Sequence, residues 1–460
     1  MDTDNRPTRP GNSHVRYWIV AMLFLLTTIN FADRSAMSIA GSAVKEDLGI
    51  GTVELGFIFS AFAWSYVLAQ IPGGWLLDRF GSRKMYIASI VLWSACTFAC
   101  GFASYMVPAS AVIALFILRL ALGAVEAPSF PANARLVAAW FPDSERGTAS
   151  AIFNTAQYAA LIFFAPLMGW IVDAYSWHYV FFVMGAIGFA GAAIFAAVVH
   201  APKRHPRITK AEFDYIEANG AQVQLDAPGA NQKQPFSWSV VRQLLSNRML
   251  FGIYIGQYCI TSLTFFFTTW FPVYLVQGRG LSYTAAGFGA AAPAIAGVVG
   301  GVIGGVLSDR LIKSGRSLTF SRKLPVVIGM ACATSIVLCN FTQSMTLVIG
   351  IMALSFFGKG VGALGWAIMS DAAPRSSTGL AGGIFNMFGN IAGIVTPIVI
   401  GYIVNETGSF DLALVFVAAH SLLAIVSYLV IVGPIKRFEL RPTDADKSAH
   451  GPTATHAAQA

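Results

Sequence analysis

The chain has 460 residues, of which 56% are apolar or aromatic (AVILMFWYC) and only 11% charged, with a mean hydropathy of +0.64. A soluble domain carries about 25% charged residues, so a water-soluble globule is excluded. The net charge of +8 does not mark a nucleic-acid binder, because the Lys and Arg residues sit in short runs between apolar stretches rather than on one arm or face.

A bilayer core takes about 20 apolar residues per helix. Taken in chain order, the sequence predicts such runs at 17–42, 54–77, 84–105, 107–134, 147–172, 177–200, 249–276, 283–308, 324–341, 345–371, 379–404 and 410–433. Alternating ten-residue segments are absent, so the expected fold is all-α, with twelve transmembrane helices. The first run is too long for the apolar region of a signal peptide and carries Asp33 and Arg34, so it reads as an uncleaved span. With both termini and every even-to-odd loop placed in the cytoplasm, only Lys45 and Arg279 among the 30 Lys and Arg residues fall outside, while Arg34, Arg119 and Lys359 fall within spans. That bias fits the positive-inside rule. The five cysteines lie in apolar segments. Cys96 and Cys100 share a helix face but have no His or acid beside them, so neither a disulfide framework nor a metal site is expected.

The expected organisation is a disordered cytoplasmic tail at 1–15, a six-helix bundle at 16–200, a cytoplasmic linker at 201–246 with a helical piece at 208–219, a second bundle at 247–433 and a tail at 434–460. An internal repeat supports the division. A shift of 232 residues lays Ile152-Phe153-Asn154 on Ile384-Phe385-Asn386 and Gly169 on Gly401. A shift of 231 lays Gly74-Trp75-Leu76-Leu77-Asp78-Arg79 on Gly305-Val306-Leu307-Ser308-Asp309-Arg310. Parallel six-helix repeats with a substrate site between them are the plan of major facilitator transporters. The chain resembles that superfamily throughout its membrane region, and the loop from Gly74 to Lys84 is similar to its signature loop. The resemblance implies that Gly74, Asp78, Arg79, Gly81 and Arg83, with Asp309 and Arg310 of the weaker second copy, latch the cytoplasmic gate by pairing with neighbouring helix ends. Anchoring of topology alone is the other reading of these charges.

Away from helix ends the spans hold Asp33, Arg34, Arg119, Glu126 and Lys359. Each is costly in a bilayer unless paired or hydrated, which makes function the default reading. Arg119 and Glu126 are two turns apart on one helix face, whereas Asp33 and Arg34 are adjacent and point to different sides. Two acids and three bases do not pair off. With both acids ionised the set carries a net charge of +1, and with both protonated it carries +3. Such a site favours an anion and couples its binding to protons. A static set of salt bridges between the first and fourth helices is the alternative. Gly360-Val361-Gly362-Ala363-Leu364-Gly365 matches a dinucleotide fingerprint by letter, but it lies inside an apolar run with no preceding strand, so it reads as close packing or bending of the tenth helix. Neither a zinc-protease motif, nor a P-loop, nor a nucleophile elbow is present. No enzyme activity or cofactor is expected.

The segments Asn30–Arg34, Gln70–Trp75, Arg119–Pro131 and Ile152–Gln157 resemble the anion:cation symporter branch. Residues 256–280, 356–374 and 382–404 resemble more specifically its bacterial permeases for hexarates, D-glucarate and galactarate. The resemblance implies that Asp33 and Glu126 bind the coupled protons, and that Arg34 or Arg119 neutralises an acid or holds a substrate carboxylate. It also implies that Tyr66, Gln157 and Asn386 contact the sugar acid. Lys359, opposite Ala127 in the repeat, has no acid within a turn of its own helix and is the candidate for a second carboxylate. The expected partners are a sugar-acid anion, protons and the lipid bilayer, for a monomer in a bacterial inner membrane. A monoacid such as an aldonate or hexuronate is the alternative substrate.

Overall fold

The computed structural model describes residues 14–142, 144–224, 238–374 and 377–440. Every regular element among them is helical. Twelve stretches, here spans 1 to 12, are long and apolar enough to cross a membrane: Val15–Leu48, Thr52–Gln70, Ser82–Tyr105, Pro108–Trp140, Arg146–Ala174, Trp177–Val198, Arg248–Gly278, Tyr283–Lys313, Leu318–Phe341, Met345–Ala372, Thr378–Thr407 and Asp411–Ile431. The chain is a multi-pass membrane protein. Consecutive spans alternate in direction, so span 1 begins at what we call the near end and finishes at the far end.

Spans 1 to 6 pack among themselves, with 2 on 4, 3 on 6, and 1 on 5 and 6. Spans 7 to 12 do likewise, with 8 on 10, 7 on 11, and 9 on 10 and 12. The halves meet where span 2 lies along span 11, span 5 along span 8, and span 1 against span 7. Small residues permit this approach. A Cβ on Gly56 would lie 2.7 Å from the carbonyl oxygen of Pro397, and one on Gly287 2.5 Å from that of Ala165.

Polar contacts between the halves gather toward the far end. The Asp173 carboxylate at the end of span 5 accepts the backbone N–H groups of Tyr283 (3.2 Å) and Thr284 (2.7 Å), which open span 8. The Ser38 hydroxyl donates to the Thr269 carbonyl at 2.5 Å, and Lys45 donates to Gln277 at 3.3 Å. Wide π-type turns at Ala160–Phe164 and Phe266–Trp270 each lie just ahead of a proline, Pro166 and Pro272. A proline offers no N–H to the preceding turn, so the ladder slips there.

Several boundaries differ from expectation. Span 1 starts at Val15 and continues to Leu48, because nothing stops it before Gly49, which takes the left-handed conformation at φ 60°. The linker helix, Lys210–Ala218, is docked on the first half. Its Glu212 is fully buried and accepts the N–H groups of Val15 and Arg16, both at 3.2 Å. It thus caps span 1 from 196 residues away. Arg16 also pairs with Glu145 at 3.0 Å. Part of the expected C-terminal tail is held as well, since the Phe438 N–H donates to the Ala372 carbonyl at 2.8 Å. The expected disorder of 1–13 and 441–460 lies outside the described residues.

Candidate functional site

The membrane charges separate by half. Span 1 carries Asp33 and Arg34, span 4 carries Arg119 and Glu126, and these four form one cluster inside the first half. Arg34 Nε lies 2.7 Å from Glu126 Oε2, with Glu126 fully buried and the arginine 18% exposed. The Arg34 guanidinium is framed by the rings of Phe31, Phe62 and Tyr66 at 4.6–4.8 Å. That aromatic frame favours a cation and fixes the plane it presents. Tyr66 is buried and stacks on Phe62 at 5.3 Å.

Arg119 lies deeper. Its Nη1 and Nη2 donate to the carbonyls of Asp33 (3.4 Å) and Arg34 (3.3 Å), two successive backbone groups of span 1. Neither oxygen of the buried Asp33 carboxyl has a hydrogen-bond partner among the described residues. Such a group is expensive to bury as an anion. A Cβ on Gly123 would run into the Phe62 carbonyl and the Ser65 hydroxyl, so glycine lets span 4 bring its two charges against spans 1 and 2.

Lys359 stands apart in the second half. It is 6% exposed, with Nζ 5.0 Å from the Phe356 ring on its own helix and 5.8 Å from the Tyr158 ring of span 5, across the interface. Among the described residues its ammonium has no ion pair or hydrogen bond. It lies in the last turn of the helix Met345–Val361, whose carbonyl end offsets part of its charge. The helix breaks over 362–364 and resumes at Gly365. The glycine run is therefore a packing surface and a break. A Cβ on Gly360 would collide with the Gly297 carbonyl of span 8.

The amides sit closer to the near end. Asn386 Nδ2 donates to Gln70 Oε1 at 3.2 Å, linking span 11 to span 2. Asn390 Nδ2 donates to the Asn386 carbonyl (2.9 Å) and to its Oδ1 (3.3 Å). Gln157 is half-buried and donates to the Asn154 carbonyl at 3.1 Å. Gln70 and Tyr158 were not singled out from sequence. Gln70 had one readable signal, its position one turn after Tyr66 on the same helix face.

At the near-end loops each copy ties helix ends within its own half. Gly81 has φ 79°, a conformation that favours glycine, and turns span 2 into span 3. Arg83 donates to the Ala196 and Val199 carbonyls of span 6, both at 2.6 Å. Arg79 is exposed over the rings of Trp75 (5.3 Å) and Phe80 (5.5 Å). Gly74 has open space around it, and the side chain of Asp78 lies outside the described residues. In the second copy Arg322, which the sequence marks only as one of the cytoplasmic basic residues, is the hub. It pairs with Asp371 at 2.8 Å and approaches Asp309 at 3.7 Å, while Arg310 is exposed. Among the described residues no group of three His, Cys, Asp or Glu could hold a metal.

The Major Facilitator Superfamily model matches residues 23–333 and 317–457, and the chain belongs to that family, whose members are transporters and not enzymes. It is 55% identical to a probable galactarate/D-glucarate transporter of Bacillus subtilis (strain 168) over 94% of this chain and 95% of that one. It is 54% identical to one of Escherichia coli (strain K12), over 94% and 96%. A D-galactonate transporter of Escherichia coli O6:H1 is 40% identical over 95% of this chain and its own full length. A solved D-xylose-proton symporter shares the fold, with a TM-score of 0.66 at 14% identity, over 91% of this chain and 98% of that one.

Proposed function

We propose that the protein is a proton-coupled symporter that carries hexarate dianions, D-glucarate or galactarate, into a bacterial cell across the inner membrane by alternating access. The near end, which bears nearly all the Lys and Arg residues, is the cytoplasmic face, and both termini lie there. The carrier works as a monomer. The substrate class rests on the named relatives at 54–55% identity.

The observation that carries the mechanism is the separation of charges: a cluster of two acids and two arginines in one half, and a lone ammonium in the other. In our reading Asp33 and Glu126 carry the protons. Asp33 has no side-chain donor to stabilise an anion, so it alternates between a protonated state and one balanced by Arg119. Protonation of Glu126 releases Arg34 from its 2.7 Å ion pair, and the aromatic frame keeps the freed guanidinium aimed for a substrate carboxylate. Lys359 takes the second carboxylate, while Tyr66, Gln157 and Asn386 meet the hydroxyls between. A dianion held at both ends joins the two halves, which gives bound substrate a differential hold on the closed arrangement. Arg119 holds the span 1 backbone in place under Asp33. The near-end loops, with Gly74, Asp78, Arg79, Gly81, Arg83, Asp309 and Arg310, brace the helix ends that move during gating.

The 40% identity to a D-galactonate transporter favours, as a second reading, an aldonate or hexuronate. Uptake into proteoliposomes decides between them. Glucarate and galactarate should accumulate when the outside is acid and only equilibrate without a pH gradient, with galactonate and glucuronate taken up poorly. Preferential uptake of a monoacid would overturn the substrate assignment, and accumulation indifferent to the gradient would overturn proton coupling.

A further inference from the structure

The Gln70–Asn386 hydrogen bond has a position and a chemistry that set it apart from the other links between the halves. Arg34 and Lys359 each lie fourteen residues in from the far ends of their spans, at Leu48 and Met345. Gln70 lies eighteen residues in from Thr52, and Asn386 twenty-one from Thr407. At about 1.5 Å per residue, the amide pair lies roughly 6–10 Å nearer the near end than the charged layer. It crosses between the halves on the exit side of that layer.

The pair is also oriented. Asn390 donates to both the backbone carbonyl and Oδ1 of Asn386, so Oδ1 is held as the acceptor and Nδ2 is turned across the interface to Gln70 Oε1. Tyr66, one turn from Gln70, has its ring 4.8 Å from the Arg34 guanidinium. A ligand gripped at Arg34 therefore meets Tyr66 first and Gln70 next. A sugar hydroxyl is both a donor and an acceptor, so it can satisfy the Asn386 amide and the Gln70 carbonyl together. Its insertion costs no hydrogen bond, whereas an apolar methylene at the same place would leave both amides unsatisfied.

We infer that Gln70 is a further ligand-recognition residue, and that its hydrogen bond to Asn386 is a bar across the near-end exit of the empty carrier which the hydroxyls of the sugar acid take apart. The inference rests on the transport reading above and adds to it a reason why an empty carrier resists opening and a polyhydroxy acid opens it. Selectivity for hydroxylated diacids then arises at the bar, separately from the charge selection made by Arg34 and Lys359.

The test uses the full-length protein with a reporter thiol in place of Ala160, a buried residue one turn beyond Gln157 and, like Arg34, fourteen residues in from the far end of its span, and with Cys96 and Cys332 replaced by alanine. An impermeant maleimide is applied from the near end. Without ligand, Gln70→Leu should label about fivefold faster than its parent, the effect of losing one net hydrogen bond. Gln70→Asn keeps the polarity but is too short to reach, and should do the same if the leucine variant folds poorly. In the parent, galactarate should speed labelling, and adipate, which has both carboxylates but no hydroxyls, should not. Unchanged rates in both Gln70 variants would overturn the bar, and an adipate effect equal to that of galactarate would overturn recognition of hydroxyls. The ligand-free comparison does not depend on which acid is carried, so failure of the substrate assignment would be seen separately, in uptake.

Discussion

Shifted by 232 residues, the first half lays Ile152-Phe153-Asn154 on Ile384-Phe385-Asn386, yet the same shift lays Arg119 on Ile351, Glu126 on Gly358 and Ala127 on Lys359. The halves repeat their scaffold and differ in their charges. Four charged side chains gather between spans 1 and 4, where Arg34 pairs with Glu126 and Arg119 reaches the span 1 carbonyls, while the Asp33 carboxyl has no hydrogen-bond partner among the described residues. Away from helix ends, the spans of the second half hold one Asp, Glu, Lys or Arg residue, Lys359, which lies over aromatic rings. In the mechanism we propose, this difference is a division of labour, with proton handling in the first half and reading of the far carboxylate in the second. Three substitutions break or sharpen that division, and a fourth tests the closure that joins the halves.

The largest effect is expected from Glu126→Gln. It removes the carboxylate that pairs with Arg34 while keeping its shape, so under the proposed mechanism gradient-driven accumulation should vanish and substrate exchange without a gradient should persist. Uphill uptake at the normal level would take Glu126 out of the coupling mechanism. Next comes Arg119→Lys. A guanidinium reaches two successive carbonyls, and an ammonium on a flexible stem does not hold both. Loss of one such charged hydrogen bond, about 1.5–3 kcal/mol, predicts a roughly tenfold or greater fall in uptake with the fold retained. Near-normal uptake, checked against a matched amount of folded protein, would show that Arg119 contributes charge alone.

A smaller effect is expected at the far end, where Asp173 of the first half caps span 8 of the second. Loss of a cap costs about 1 kcal/mol, so Asp173→Ala should shift the population toward far-end opening about fivefold. Labelling of a thiol at Ser38, whose hydroxyl bonds Thr269 across the same closure, would report it. If labelling did not rise, the far end would be held by the close packing around Gly56 and Gly287 instead.

Sequence and structure agree where the governing physics is local or periodic. Twenty-residue apolar runs, the bias of basic residues and the repeat are all one-dimensional signals, and they sufficed for twelve spans. The charged residues were legible because a bilayer makes each of them conspicuous. Their partners were not. That Arg34 chooses Glu126 over its neighbour Asp33 depends on helix rotation, set by contacts such as Gly123 against Phe62. Gln70 and Arg322 were missed because an amide or a loop arginine gains meaning only from what faces it across an interface. The docking of Glu212 on the start of span 1 joins residues 196 apart, which no window along the sequence captures.

The division of labour is tested most directly at Lys359. Glutamine there keeps most of the side chain's length and polarity but removes the charge that a second carboxylate would meet. Transport kinetics of Lys359→Gln and the unsubstituted protein should be compared on galactarate and on galactonate, which differ at one end of the same six-carbon chain. A desolvated charge pair that loses one partner costs at least about 2 kcal/mol, so kcat/KM for galactarate should fall roughly thirtyfold or more, while that for galactonate changes by only a few fold. Equal losses on the two substrates, or no loss on either, would contradict the assignment of Lys359 as the reader of the second carboxylate.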